Sequence, residues 1–195
     1  MKKFSALIFA SFFFCGCSTT GGIWGEKKIV ERNIAEEYFS IATEYKELGK
    51  YEKAISYFEK VLDDEKSGRY AFYEIALCNV YLKNWDKAKD SFETLLQSDE
   101  KNSSLKKSLA YICAMQGDLV SAEKIYREIL SETDDASAMK NLAGVLLAEK
   151  KIGDAKEIFS LLNEKFPDDE SIYVLKEKIG SAENSSSENS AEKDC

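Results

Sequence analysis

Five cysteines and no histidine set the chemistry open to this 195-residue chain. Without imidazole, the commonest general base and metal ligand is missing. Nucleophile–base pairs therefore lack their usual base. The acid pairs Asp134-Asp135 and Asp168-Asp169 stand at expected helix starts, where carboxylates cap free N–H groups and favour the dipole. "DDEKSGRYAFYE", residues 63–74, places Asp63, Glu65, Ser67, Gly68 and Glu74 at the spacing of a calcium loop. Glu65 and Ser67 replace the preferred Asp or Asn, however, and a helix is expected from Tyr70 to Glu74, where the loop would have to be extended. A turn between helices is the better reading. No Gly-rich phosphate loop is present. The sequence predicts no enzyme, no metal site and no cofactor.

Cys15 and Cys17 bear on chemistry of another kind. They close an apolar run, "FSALIFASFFF", that follows Lys2 and Lys3. A membrane-spanning helix needs about 20 apolar residues, so this run is too short. It reads as a signal peptide. Inside an apolar leader nothing lowers a thiol pKa, which argues against a redox pair. Gly16 is small, Cys17 follows it, and the polar "STTGG" comes next. This resembles a bacterial lipoprotein signal, in which a cysteine after a small residue is acylated and becomes the first residue of the mature chain. The resemblance assigns lipidation to Cys17, with Phe14 in a place where leucine is preferred. An ordinary secretory signal, cut without lipidation, is the alternative. Each buried CH₂ of an acyl chain contributes about 0.8 kcal/mol, and two chains already hold stably.

The charge narrows the partners. The formal net charge is −8, and removing the leader with Lys2 and Lys3 leaves −10. With no basic stripe to offset it, that repels nucleic acid. It also opposes electrostatic adhesion to anionic lipid. Apolar residues make up 44%, enough for a core.

The elements behind these residues repeat. A small residue followed four places on by an aromatic recurs as Ala54/Phe58, Ala88/Phe92, Ala122/Tyr126 and Ala155/Phe159, the alanines 34, 34 and 33 apart. Upstream of each lies an apolar–small pair: Ile41-Ala42, Ile75-Ala76, Leu109-Ala110, Leu142-Ala143. This resembles the tetratricopeptide repeat, a helix–turn–helix unit with that period. The resemblance implies an all-α superhelix, an α-solenoid of four helix pairs over about residues 35–169. Asn33 and Glu36 read as a capping box opening the first helix. Gly49-Lys50, Asn84, Gly117-Asp118 and the stretch from Lys150 to Gly153 stand where the pairs reverse. A stack also needs its outer end covered. "ESIYVLKEKI" would do this, packing Ile172, Tyr173 and Leu175 and ending at Gly180. The expected organisation is a signal peptide over 1–16, a lipidated N-terminus and tether over 17–32, the repeat domain with its capping helix over 33–179, and a disordered tail over 180–195. Fully extended, the tether would lift the domain by about 50 Å at roughly 3.3–3.6 Å per residue.

Cys78 and Cys113 fall on first helices of neighbouring repeats, where free cysteine is most often a small buried hydrophobe. A disulfide is the sharper reading in an oxidising compartment, yet helix axes about 8–10 Å apart seldom allow one. Cys195 is a lone thiol on the tail with no assigned role.

In the resembling family the first helices line a concave face that binds extended peptides or a partner helix. Carried over by register, the lining here is Phe39, Tyr73, Leu77, Tyr81, Lys107, Tyr111, Met115, Lys140 and Leu147. It is apolar and aromatic, with Lys107 and Lys140 placed for an acidic group on the partner. Some of these side chains are expected to pack against neighbouring helices instead. Asn79 takes a place where the family carries an aromatic, so a local distortion of the second repeat is expected. The clamp of chaperone-tail-binding members is not implied, because its places hold Phe39, Thr43 and Glu74. The implied function is a membrane-anchored envelope lipoprotein acting as a protein–protein interaction scaffold or assembly factor. Its partner would be an envelope protein or peptide segment, bound without nucleic acid. The implied location is the bacterial cell envelope, lipid-anchored and facing the periplasm, at the outer rather than the inner membrane. The alternative is an accessory lipoprotein that captures an apolar small molecule for a transporter. A closed dry cavity would mark the alternative, and an open groove the scaffold.

Overall fold

The computed structural model describes residues 24–191. The leader with Cys15, Gly16 and Cys17, and the end of the tail with Cys195, lie outside the described residues. Nine α-helices follow one another there, with no strand among the described residues. They are α1 (Trp24–Glu47), α2 (Tyr51–Phe58, continued by a 3₁₀ turn at Glu59–Val61), α3 (Gly68–Tyr81), α4 (Trp85–Gln97), α5 (Ser103–Gln116), α6 (Leu119–Glu132), α7 (Ala136–Ala148), α8 (Ile152–Lys165) and α9 (Ser171–Ala191). Helices α1 to α8 form four antiparallel pairs, each helix packed on its sequence neighbours.

The 34-residue pattern explains the pairing. Ala54, Ala88, Ala122 and Ala155 have no exposed surface, nor do Ala42, Ala76, Ala110 and Ala143 on the first helices of the same pairs. Two helices can approach this closely only where side chains are small. Phe58, Phe92 and Tyr126 fill the space beside each contact, and burying such a ring contributes about 1.5–3 kcal/mol. Phe159, the fourth aromatic, is only half-buried. Every pair is closed by the first helix of the next. Ala71, Ile75 and Cys78 of α3 complete the core of α1 and α2. Leu105, Leu109 and Ile112 of α5 complete that of α3 and α4. Ile172, Leu175 and Ile179 of α9 cover the last pair, the i, i+3, i+7 stripe of an amphipathic helix. Tyr173, expected in that contact, is turned outward and 78% exposed.

The reversals repeat as strictly as the core. Gly49, Lys83, Gly117 and Lys150 have φ of 68°, 59°, 88° and 62°. Their spacing is again 34, 34 and 33. After each, the next N–H bonds the carbonyl five residues back: Lys50 to Tyr45, Asn84 to Asn79, Asp118 to Cys113, Lys151 to Leu146, at 2.8–2.9 Å. These are four Schellman caps. The left-handed residue of the second repeat is thus Lys83, not Asn84. In the fourth it is Lys150, and Gly153 sits inside the first turn of α8. Gly68 has a different constraint, since a Cβ there would run into the Leu62 carbonyl oxygen.

Two helix ends depart from the sequence reading. Helix α1 passes through Asn33 and begins at Trp24. The run "GEKKIVER" holds good helix formers and no proline, so a lone asparagine does not stop it. Residues 24–32 are therefore helix, not extended tether. Helix α9 likewise passes through Gly180, since one interior glycine costs only about 1 kcal/mol. Beyond it the Ser181 hydroxyl donates to the Glu177 carbonyl and Lys156 pairs with Glu183. Asn79 causes no distortion. Helix α3 runs unbroken past it, its Nδ2 donates to the Ile75 carbonyl at 3.0 Å, and its Oδ1 accepts from Asn84 Nδ2 at 3.2 Å.

Candidate peptide-binding groove

Tyr73, Leu77 and Tyr81 are four residues apart on α3, so they share one face. Lys107, Tyr111 and Met115 repeat that spacing on α5, each 34 residues further on. The two rows line a groove between the helices. One compartment, of about 350 Å³, is bounded by Leu77, Val80, Tyr81, Lys83, Trp85, Tyr111 and Met115. A second, of about 310 Å³, shares Leu77, Val80 and Tyr111 and adds Tyr73, Lys107, Ser104, Ser108, Ser137 and Asn141. A larger hollow of about 580 Å³ continues from Tyr73 and Ser104 toward the inter-repeat turns. The groove therefore runs from an aromatic end to a hydroxyl and amide end.

The rings are set before any partner arrives. Tyr73 lies edge-on against buried Phe92, centroids 5.8 Å apart, and burial raises its phenol pKa. Tyr81 stacks on Tyr51 at 4.7 Å, nearly parallel. Trp85 meets Tyr111 at 6.4 Å in a T-shaped pair. Tyr81, Tyr111 and Met115 are nonetheless 58%, 41% and 48% exposed. Such a surface has apolar area to offer and little rotamer freedom to lose.

Three of the nine expected lining residues stand elsewhere. Phe39 packs edge-on against Phe58 at 5.2 Å, in the core of the first pair. Leu147 is half-buried between the cores of the third and fourth pairs. Lys140 is exposed and lines neither compartment. Lys107 lies in the groove but its charge is taken: Nζ is 2.7 Å from Asp135 Oδ2. Burial pushes the Asp135 carboxyl up, yet the Lys107 ammonium and the Ala138 N–H hold it below its usual range. Lys46 is similarly spent on Glu74, 2.6 Å away. Sequence reasoning missed Trp85 and Lys83. Trp85 opens a second helix, at the register place of Tyr51, Leu119 and Ile152, and that apolar repeat was its signal.

Among the described residues, no cluster of three or more Cys, Asp or Glu is placed to hold a metal ion. Cys78 and Cys113 are free and buried in different cores. Burial pushes the Cys78 thiol up to about 11, so it stays protonated. The calcium-like stretch forms a turn in which Asp64 accepts from the Lys66 and Ser67 N–H groups, and α3 takes up Tyr70 to Glu74. No helix among the described residues is long and apolar enough to cross a membrane.

Comparison with known proteins agrees with this geometry. The sequence pattern of the tetratricopeptide repeat matches residues 80–143 and 114–179, and a second pattern of that description matches 35–63. An uncharacterized lipoprotein of Treponema pallidum (strain Nichols) is 26% identical over 147 residues, 74% of either chain. Among solved structures, the type IV pilus biogenesis factor PilW superposes with a TM-score of 0.64 at 19% identity, over 72% of this chain and 66% of that one. YrrB, a TPR protein with an unusual peptide-binding site, superposes with a TM-score of 0.57 at 17% identity, over 83% of this chain and 92% of that one. At these identities the structural likeness is one of fold.

Proposed function

The chain belongs to the tetratricopeptide repeat family, and from that premise we propose that it is an interaction scaffold whose groove between α3 and α5 takes a segment of another protein. The observation that carries this reading is the continuous face of Tyr73, Leu77, Tyr81, Tyr111 and Met115, three of them exposed in the free molecule. The unusual peptide-binding site of YrrB is in keeping with it. Both compartments open to solvent, which favours a chain segment over an enclosed small molecule. The reading includes no catalytic step.

We further propose that the scaffold works at a bacterial envelope, held by acyl chains on Cys17. The leader supports this, as do the lipoprotein relative and the pilus-biogenesis role of PilW. Crosslinking in intact cells, followed by mass spectrometry of captured partners, tests both parts. Envelope proteins crosslinked through residues on α3 and α5 are expected. Crosslinks confined to the outer helices α4 and α6 would refute the groove, and cytoplasmic partners would refute the location.

A further inference from the structure

The aromatic end of the groove carries one lysine without an ion pair among the described residues. Lys83 borders the compartment of Tyr81, Trp85, Tyr111 and Met115, and it makes no ion pair among the described residues. The other groove lysine, Lys107, is matched by Asp135, and Asp86 in the first turn of α4 accepts from Gln116 Nε2 at 3.1 Å. Lys83 stands on the α3–α4 turn, at the left-handed place that glycine fills in the first and third repeats. The compartment, about 350 Å³, is near the lower end of ligand sites, which run from roughly 300 to 1,000 Å³. It suits a side chain of a peptide better than a whole small molecule.

We propose that this end of the groove reads a large apolar or aromatic side chain with a carboxylate beside it. The side chain seats among Tyr81, Trp85, Tyr111 and Met115, and the carboxylate pairs with Lys83. The proposal rests on the groove reading above and adds the chemistry of its partner. A single free ammonium matches a single carboxylate. A phosphate, with about −1.5 to −2 charges, would call for a second donor that Lys107 is not free to give. The carboxylate can belong to an Asp or Glu side chain or to a chain terminus.

The tryptophan in the compartment supplies the assay. The full chain in detergent micelles, carrying Trp24→Phe, leaves Trp85 as its only tryptophan. Four acetylated hexapeptides serve as probes: amidated with a central Phe-Asp, amidated with a central Phe-Asn, ending in Phe with a free carboxylate, and ending in Phe amide. The acid member of at least one pair should shift Trp85 emission and bind about fivefold tighter than its neutral partner, the size of a good exposed ion pair. Which pair shows the difference tells a side-chain acid from a terminal one. The advantage should shrink as salt rises, vanish in Lys83→Gln and persist in Lys83→Arg. Equal binding within both pairs, or an advantage that survives Lys83→Gln, overturns the carboxylate while leaving the groove. No emission change with any peptide at millimolar concentration overturns both. An emission change that instead follows protein concentration, with a dimer in sedimentation, would put a second copy in the groove and also overturn the proposal.

Discussion

Replacing Gly117 by alanine and Lys150 by glycine should move stability in opposite directions. Both residues are left-handed, with φ of 88° and 62°. A side chain in that region costs roughly 1–2 kcal/mol because Cβ crowds the following carbonyl. At Gly117 an added Cβ meets nothing within 4 Å, so the cost there is purely one of backbone. Against it stands a gain of about 0.4–1 kcal/mol from the stiffer unfolded chain. Gly117→Ala should therefore lose up to about 1.6 kcal/mol, and Lys150→Gly should gain up to a similar amount by the reverse steps. In a chain of this length each kcal/mol moves the midpoint by about 2–4 °C. The two turns share no hydrogen bond, so the double variant should melt near the parent. Thermal melts followed by circular dichroism read all three. If Gly117→Ala melts with the parent while Lys150→Gly melts below it, the repeating Schellman caps are wrong.

Three other perturbations probe a helix contact, an ion pair and the anchor. Ala88 has no exposed surface at the α3–α4 contact, so Ala88→Leu should overpack it and cost about 1–3 kcal/mol, read as a drop in melting temperature. Glu123 accepts from Lys151 and from Arg127 at 2.7 and 2.6 Å, and these bonds hold its carboxyl at about 2, below the ordinary 4.5. The stability it adds is therefore complete above about 4.5 and is lost as pH falls toward about 2; Glu123→Gln should flatten the stability profile in that window and leave its shape near neutrality unchanged. Cys17→Ala should move the protein from the membrane to the soluble fraction on cell fractionation, and a variant that still pellets with membranes would refute the lipid anchor.

Much of the fold was legible because repetition makes one residue testify for another. Ala54, Ala88, Ala122 and Ala155 named the helix contacts through their spacing, and all four are buried. The same register placed Tyr73, Leu77, Tyr81, Lys107, Tyr111 and Met115 along the groove walls. What stayed hidden was set by neighbours that a linear pattern does not contain. Nothing in the sequence tied Lys107 to Asp135, 28 residues on, and that pair removes the cation the groove was expected to offer. Lys83 was overlooked because asparagine tolerates a left-handed turn better than lysine, yet the 34-residue register, not the preference, fixes the position. Phe39 shares the register of Tyr73, and by spacing alone the two are equivalent. Both pack edge-on over the buried phenylalanine of their own pair, but only Tyr73 also borders the groove beside α5. Asn33 and Gly180 failed as stop signals for one reason: a weak breaker yields when the residues on both sides favour helix.

In the proposed groove, Tyr81 and Tyr111 serve a partner and not the core. The direct measurement is partner capture by Tyr81→Ala and Tyr111→Ala, with the melting temperature of each taken alongside. Tyr81 is 58% and Tyr111 41% exposed, so their loss should cost little stability, while aromatic residues are enriched among the hot spots of protein interfaces. Capture should fall at least tenfold, about 1.4 kcal/mol, while each variant melts within a few degrees of the parent. Variants that capture the partner as the parent does, or that melt far below it, would refute a binding role for the two rings.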